Sequence, residues 1–113
     1  MVRQKIYVTE RGDIVWISFD PQSGREQKGR RPALVISPLE YNKKTKLAIL
    51  VPITSKIKGY PFEVFLNSKN IDGVILSDQI KSLDWNIRKA DFIEKVSKSV
   101  MVEVIDNVKL LIT

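Results

Sequence analysis

Residues 24–32 have the composition of a reactive or ligand-binding loop. They read Gly-Arg-Glu-Gln-Lys-Gly-Arg-Arg-Pro, so that the carboxylate of Glu26 stands among four cations on a glycine-containing segment. About ten polar residues separate two apolar runs here, whereas a connection of about two to five residues is usual. Long polar loops on a rigid scaffold commonly carry function. This loop is therefore the first candidate site.

The chemistry of the chain is limited by two residue types that it lacks. It contains no histidine and no cysteine, which excludes a thiolate nucleophile, an imidazole acid or base, and thiolate or imidazole ligands for zinc. Catalysis would have to come from Glu, Asp, Arg, Lys, Thr, Ser or Tyr. We expect no metal ion and no cofactor.

Two side chains of this loop suit acid–base catalysis or electrostatic stabilisation. Arg31 precedes Pro32, and a residue before proline is held in an extended conformation, which orients the guanidinium at the start of the next strand. If the loop is compact, Glu26 comes within reach of Arg31 and supplies a base beside an electrophile. A solvated loop with one weak surface ion pair fits the same residues.

Thr54 ends the apolar run 47–53 and is followed by Ser55 and Lys56. A hydroxyl at the end of a strand faces solvent instead of the core, and together with a guanidinium it suits a phosphoryl oxygen that gains charge. An ordinary strand end is the alternative interpretation of Thr54.

An RNA substrate would resolve the lack of a protein nucleophile. The 2′-hydroxyl lies beside its own phosphate and needs only alignment, deprotonation and charge stabilisation. No metal ion is required for that reaction. DNA, which has no 2′-hydroxyl, would be bound at most and not cut.

The elements that must position these residues are short strands followed by one helix. From residue 99 the apolar residues fall at helical spacing, and Ser99 is a plausible N-cap. Short strands without alternating helices predict a mainly β protein, an antiparallel sheet curled into a small barrel and capped by the C-terminal helix. β-branched and aromatic runs predict strands at 13–19, 32–37, 47–53, 62–66, 74–80 and 90–97.

Composition limits the size, location and partners. The 113 residues suit one domain, 1–113, and 19 Lys and Arg against 13 Asp and Glu give a net charge of +6. That charge is typical of a chain that meets phosphates or an acidic protein, although a merely soluble basic protein has it too. The absence of cysteine, of a signal-peptide core and of a membrane-length apolar run predicts a cytoplasmic protein that binds no membrane.

Three aromatic residues received separate interpretations. Trp16 lies inside an apolar strand and is predicted to be a core residue, whereas Trp85, in a polar stretch, is predicted to contact a protein partner. Tyr60 lies beside Lys56 and Lys58, a combination that suits stacking and charge contact with unpaired nucleotides, although a solvated hairpin tip explains it as well.

Six sequence blocks together resemble the MazF/PemK family of toxin endoribonucleases over residues 12–112. The resemblance implies an SH3-like antiparallel barrel, a homodimer, and sequence-specific, metal-independent cleavage of single-stranded mRNA that leaves 2′,3′-cyclic phosphate and 5′-hydroxyl ends. It also implies a type II toxin–antitoxin system with an acidic, MazE-like antitoxin. The blocks are Gly-Asp-Ile-Val-Trp (12–16), Phe-Asp-Pro (19–21), Gly-Arg-Glu-Gln-Lys-Gly-Arg-Arg-Pro-Ala (24–33), Val-Pro-Ile-Thr (51–54), Lys-Gly-Tyr-Pro-Phe-Glu-Val (58–64) and Asp-Gln-Ile-Lys-Ser (78–82).

The resemblance places the catalytic residues of the family on Glu26, Arg31 and Thr54. We assign Glu26 to accepting or orienting the proton of the 2′-hydroxyl, Thr54 to the phosphoryl oxygen, and Arg31 to charge stabilisation. Proton delivery from Arg31 to the leaving oxygen is the alternative role, which the poor proton donation of arginine at neutral pH disfavours. The expected RNA-binding residues lie in the loops around these positions: Arg25, Gln27, Lys28, Arg30, Ser55, Lys56, Lys58, Tyr60, Asp78 and Gln79.

The chain departs from some relatives at two positions. Arg30 stands where some chromosomal relatives have a histidine, and Leu76 stands where the plasmid-encoded Kid branch has an arginine. The arginine–aspartate mechanism of Kid therefore does not transfer, and Asp78 is expected to hold structure or RNA. The block at 58–64 favours the chromosomal MazF branch.

Two other functions remain open at this stage. One is a non-catalytic gyrase poison of the same fold, like CcdB, although that family uses a tryptophan close to its C-terminus and this chain has none there. The other is a barrel that binds RNA and leaves it intact.

Overall fold

Apolar and β-branched residues form the strands of a single antiparallel sheet. The computed structural model describes residues 6–19 and 29–113, and the structural statements below concern those residues. In chain order the elements are β1 (Asp13–Ser18), β2 (Arg30–Val35), α1 (Leu39–Thr45), β3 (Leu47–Thr54), β4 (Glu63–Asn67), β5 (Asp72–Leu76), β6 (Lys81–Asp84), β7 (Asp91–Lys95) and α2 (Lys98–Ile112).

Strand β3 organises the sheet. The strand order is β4-β5-β3-β2-β1-β7, and β6 pairs with β3 outside that path. Along one side, the first half of β3 pairs with β6 and its last two residues pair with β5. Because β3 changes partner along its length, the sheet curls into a half-barrel. The predicted class, a mainly β antiparallel barrel with a C-terminal helix, is confirmed.

The sheet is covered on both faces. One cluster, which includes Ile14, Leu34 and Val51, packs against Val104 and Val108 of α2. The opposite cluster includes Val15, Val35 and Leu50 and is closed by Leu83 and Trp85. Alternate residues of the central strands therefore enter different cores, which explains why these strands are apolar throughout instead of alternating.

Helix α2 begins two residues earlier than the sequence pattern indicated. Ser97, not Ser99, is the N-cap, and its hydroxyl accepts a hydrogen bond from the Val100 amide at 3.3 Å. Val104 and Val108 are buried, whereas Leu111 and Ile112, predicted for the same face, are exposed. The helix packs against β4, and the apolar side chains of its last turn are exposed.

The prediction for Trp85 was wrong, and helix α1 was missed. Trp85 is 3% exposed, and its Nε1 donates a hydrogen bond to the carbonyl of Asn42 at 2.9 Å. Asn42 is the buried residue of α1, and its side chain donates to the carbonyls of Thr9 and Ser37. Tertiary hydrogen bonds therefore stabilise a seven-residue helix that is too short to form alone.

Strand β6 was also missed. The sequence pattern extended one strand over 74–80, but the chain turns after Leu76 and pairs again from Lys81. Among the described residues, no helix is both long enough and apolar enough to cross a membrane.

Candidate active site at the ends of β2 and β3

The register of the sheet brings Arg31 and Thr54 together. Ala33 pairs with Pro52 in the antiparallel ladder between β2 and β3. Continuing that register by two residues on each strand sets Arg31 opposite Thr54, and since two residues restore the same face, both side chains leave the sheet on one side. Both residues line the same cleft.

This main cleft holds five of the seven described residues that were predicted to bind RNA. Four cations and two carboxylates line it, with one aromatic ring that is half exposed, that of Tyr60. An anionic chain would meet a surplus of positive charge here. The lining residues are Phe19, Arg31, Pro52, Ile53, Thr54, Lys56, Lys58, Tyr60, Glu63, Leu76, Asp78, Gln79 and Lys81.

The hydroxyl of Thr54 is oriented by the backbone that follows it. Its Oγ1 accepts a hydrogen bond from the Lys56 amide at 3.1 Å. Because that bond uses a lone pair of the oxygen, the hydroxyl hydrogen remains free to donate to a ligand oxygen. Thr54 is thus a positioned donor at the strand end, beside the guanidinium of Arg31.

Glu63 shapes the loop that forms one wall of the cleft. Its carboxylate accepts hydrogen bonds from two successive amides, from Lys58 at 3.1 Å and from Gly59 at 2.9 Å. Gly59 has φ of 80°, which glycine adopts without strain. The Lys58 ammonium lies 5.9 Å from the centre of the Tyr60 ring. The carboxylate of Glu63 therefore sets where this cation and this ring stand.

The opposite wall carries Asp78 and Gln79 on an anchored turn. The adjacent Ser77 is fully buried; its amide donates to the carbonyl of Phe62, and its hydroxyl accepts from Asn107 of α2 at 3.1 Å. The Gln79 amide closes the turn on Leu76. A buried anchor therefore presents two exposed polar side chains to the cleft.

A second recess lies on the other side of the Arg31–Thr54 pair and exposes Trp16. The prediction that Trp16 belongs to the core was wrong, because its side chain is 40% exposed. Helix α2 covers Ile14 on this face of β1 and does not cover Trp16. The lining residues are Trp16, Arg31, Pro32, Ile53, Thr54, Ser55, Asn70, Ile71 and Asp72.

The turn that carries Asn70 is tied to β7. Glu94 of that strand accepts hydrogen bonds from Asn70 at 3.0 Å and from the Ser68 hydroxyl at 3.1 Å. The wall of the second recess that faces Trp16 is therefore held by side chains from two separate parts of the sheet.

Four predicted residues, Arg25, Glu26, Gln27 and Lys28, lie outside the described residues. The chain leaves β1 and returns to β2 beside the cleft. The Phe19 amide donates to the Gly29 carbonyl at 2.8 Å, and Arg88 donates to the carbonyl of Phe19 at 3.0 Å. Phe19 and Gly29, which flank the segment 20–28, are therefore close to one another, and Phe19 lines the cleft together with Arg31.

Arg30 is placed apart from the other predicted RNA-binding residues. It does not line either recess; its guanidinium pairs with Asp91 at 2.7 Å and donates to the Lys89 carbonyl at 3.1 Å. Successive residues of a strand point to opposite faces, so Arg31 and Arg30 serve different surfaces.

The sequence prediction missed Glu63, Lys81 and Trp16 as site residues. Glu63 had a detectable signal, an acidic residue two positions after the Gly-Tyr-Pro run 59–61. Trp16 had none, because the strand is apolar throughout and its pattern does not show that the core beneath α2 includes Ile14 and not Trp16. In the described part of the chain, no group of three or more acidic side chains is arranged to hold a metal ion.

Comparison with known protein families gives one match over most of the chain. Residues 10–112 match the model of PemK-like, MazF-like toxins of type II toxin–antitoxin systems. The curated endoribonuclease toxin MazF of Escherichia coli K12 is 52% identical over 84 residues, 74% of this chain and 76% of that protein. The endoribonuclease PemK of Escherichia coli is 35% identical over 118 residues, 100% of this chain and 88% of that protein.

Comparison with solved structures agrees. A chain in the crystal structure of MazE–MazF from Deinococcus radiodurans superposes with a TM-score of 0.86 at 44% identity, covering 94% of this chain and 97% of that one. The higher identity to MazF than to PemK agrees with the branch that the block at 58–64 indicated.

Proposed function

The chain belongs to the family of PemK-like, MazF-like toxins of type II toxin–antitoxin systems, and we propose that it is a toxin that cuts single-stranded mRNA at specific sequences. The observation that carries this proposal is the shared cleft of Arg31 and Thr54, a paired-donor cation and a hydroxyl beside one another with further cations around them. That set of groups matches a phosphodiester.

The reaction is an internal transfer within the RNA. The 2′-oxygen attacks the adjacent phosphorus, the P–O5′ bond breaks, and the products are a 2′,3′-cyclic phosphate and a 5′-hydroxyl. One proton leaves the 2′-hydroxyl and one reaches the departing 5′-oxygen, so that the step is balanced without water or metal. Holding the 2′-oxygen in line with the P–O5′ bond supplies a large part of the reduction in activation free energy.

Each proposed residue has a separate role in this step. Arg31 stabilises the charge that develops on the phosphoryl oxygens, and Thr54 donates a hydrogen bond to one of them. Glu26, which lies in the segment outside the described residues, is assigned to the 2′-hydroxyl proton. The position of Phe19, which precedes that segment, bonds to Gly29 after it and lines the cleft with Arg31, supports this assignment.

The two recesses would bind nucleotides on either side of the scissile bond. In the main cleft, Lys56 and Lys58 contact phosphates and Tyr60 offers a stacking surface. In the second recess, the exposed face of Trp16 offers another. Sequence selection then comes from polar residues that line the two recesses, namely Asp78, Gln79, Ser55 and Asn70.

The partners follow from the same surface. An acidic, MazE-like antitoxin would occupy the cations that RNA needs, so that the two would compete. We also propose one toxin domain over 1–113, acting in the cytoplasm as a homodimer. Val102 and Leu110, which are 51% and 73% exposed on the outer side of α2, support a further buried surface in the dimer.

Mapping of RNA ends tests the function. The purified protein is incubated with a long single-stranded RNA in EDTA, and the expected result is a set of discrete cuts with cyclic phosphate and 5′-hydroxyl ends. The same RNA with a 2′-deoxy residue at a cut site should stay intact there. Bound but uncut RNA would instead indicate a simple RNA-binding barrel.

The gyrase-poison alternative is not favoured, because the family match and the relatives named above are endoribonuclease toxins. Inhibition of supercoiling with no RNA cleavage would restore it. The supercoiling assay is therefore run on the same protein preparation as the RNA assay.

A further inference from the structure

Gly73 of β5 lies against the backbone of Thr54. In the antiparallel pairing of β3 and β5, Thr54 is opposite Val74. Gly73, the residue before Val74, therefore lies beside the C-terminal end of β3. A Cβ atom built on Gly73 would stand 2.3 Å from the carbonyl oxygen of Thr54 and 3.3 Å from the Cα of Ser55. Only glycine permits this approach.

The backbone angle of Gly73 adds a second requirement for glycine. Its φ is +148°, a value that residues with an L side chain rarely adopt. On its other side Gly73 pairs with Leu66 of β4, so β5 is held between two strands and has little freedom to move away from Thr54. A side chain at position 73 would therefore act on Thr54.

From this geometry we infer that Gly73 is a positioning residue for the proposed cleavage, because its missing side chain lets β5 set the backbone of Thr54. The inference rests on the proposed function, in which the Thr54 hydroxyl contacts the phosphoryl oxygen. For an alanine at 73, the methyl group and the Thr54 carbonyl would have to separate from 2.3 Å to the 3.4 Å of an ordinary contact. A displacement of about 1 Å at a reacting group costs up to about 10²-fold in rate.

Kinetics of Gly73→Ala test the inference. We expect kcat on a fluorogenic RNA to fall by about 10²-fold, while KM and the affinity for an uncleavable 2′-deoxy analogue stay within about twofold of the wild type, because the phosphate-binding cations do not move. A merely structural role would lower the melting temperature and leave kcat of the folded fraction unchanged, and that result would overturn the inference.

Gly12→Ala is the matched control. Gly12 also has a positive φ, +94°, but its Cβ would meet only the flexible side chain of Lys95, at 3.2 Å, and it lines neither recess. We expect a loss of stability with kcat unchanged. An equal loss of kcat in both variants would overturn the inference, since backbone strain at any glycine with positive φ would then explain the loss.

A D-alanine at position 73, introduced by chemical ligation, covers the case in which Gly73→Ala does not fold. A D residue adopts positive φ readily, and its methyl group replaces the other hydrogen of Gly73, not the one whose position meets the Thr54 carbonyl. The expected kcat equals that of the wild type; a loss of about 10²-fold in the folded D-alanine protein, or its failure to fold, would overturn the inference.

Thr54→Ala distinguishes a failure of the proposed function from a failure of the inference about Gly73. If the wild type does not cut RNA, or if Thr54→Ala cuts at the wild-type rate, the proposed function fails. If Thr54→Ala is impaired and Gly73→Ala is not, the proposed function stands and the role of Gly73 fails.

Discussion

Arg31 and Thr54 lie opposite one another when the register of β2 and β3 is continued two residues past its last pair, Ala33 and Pro52. Both side chains line the main cleft and the second recess, so the pair forms the ridge between the two. A phosphate that bridges this ridge would have one nucleotide on each side.

Replacement of Arg31 should remove charge stabilisation with little effect on the fold, because the side chain is exposed. We expect Arg31→Ala to lower kcat by about 10²- to 10³-fold, the usual loss for one group that stabilises transition-state charge. Arg31→Lys keeps the charge without the paired donors and should recover only part of the loss. Arg11→Ala, outside both recesses, is the control for lost positive charge. Wild-type kcat in Arg31→Ala would contradict the assignment.

Two substitutions at Thr54 separate its hydroxyl from its shape. Thr54→Val keeps the volume and removes the donor, and we expect kcat to fall by about 10²-fold. Thr54→Ser keeps the hydroxyl and its bond from the Lys56 amide, so it should stay within about tenfold of the wild type. Single-turnover rates at saturating RNA measure both. Equal rates for the two variants would show that the hydroxyl does not act.

Glu63 should affect binding more than the chemical step. Without its carboxylate, the amides of Lys58 and Gly59 lose their acceptor and the loop loses its fixed shape. We expect Glu63→Ala to raise KM by about tenfold, the equivalent of about 1.4 kcal/mol, with a smaller change in kcat. Faster amide exchange at Gly59 gives an independent check. A loss of kcat with KM unchanged would instead place Glu63 among the groups that act on the reacting atoms.

The sequence sufficed to predict the elements whose pattern is local. Strands β1, β2 and β3 and helix α2 were predicted to within a few residues, because β-branched runs and helical spacing are read from neighbouring residues. Helix α1 and the burial of Trp85 were missed because both depend on Asn42, whose hydrogen bonds reach Thr9 and Trp85 in distant parts of the chain.

The candidate site likewise has a part that the sequence predicts and a part that only the tertiary structure shows. Arg31 and Thr54 were predicted from residue type and from a family resemblance, and the register of β2 and β3 places them together. The closeness of Gly73 to Thr54 depends on how β5 pairs with β3. The exposure of Trp16 depends on which residues of β1 are packed in the core beneath α2. No local pattern encodes those relations.

Trp16 offers a test that uses its exposure directly. We expect Trp16→Ala to weaken RNA binding by about fivefold or more and Trp16→Phe to keep much of the affinity, since stacking of one base on an aromatic ring contributes about 1–3 kcal/mol. Because Trp85 is buried, a change in tryptophan fluorescence on adding an uncleavable RNA should come from Trp16 and vanish in Trp16→Phe. Unchanged affinity in Trp16→Ala would remove the second recess from the RNA path.

Stability at high pH should depend on a polar cluster near the start of β1. The Tyr7 hydroxyl donates to Asp13 at 2.5 Å, and Lys95 pairs with Asp13 at 2.6 Å. Burial, followed by the hydrogen bond and the charge of Asp13, raises the pKa of Tyr7 well above its ordinary 10.0. Desolvation lowers the pKa of Lys95, but its hydrogen bonds to Asp13 and Glu10 outweigh that effect and the pKa is raised above 10.5.

Both shifts have the same consequence for unfolding. In the unfolded chain Tyr7 loses its proton near pH 10, whereas the folded protein retains it, so the stabilisation is complete below that pH and is lost as the pH rises further. We expect the melting temperature of the wild type to fall steadily above pH 10. Tyr7→Phe should melt lower at pH 8, because the Asp13 carboxylate loses a donor, and should show a shallower fall above pH 10. Parallel curves for the two proteins would show that the Tyr7 proton is not retained on folding.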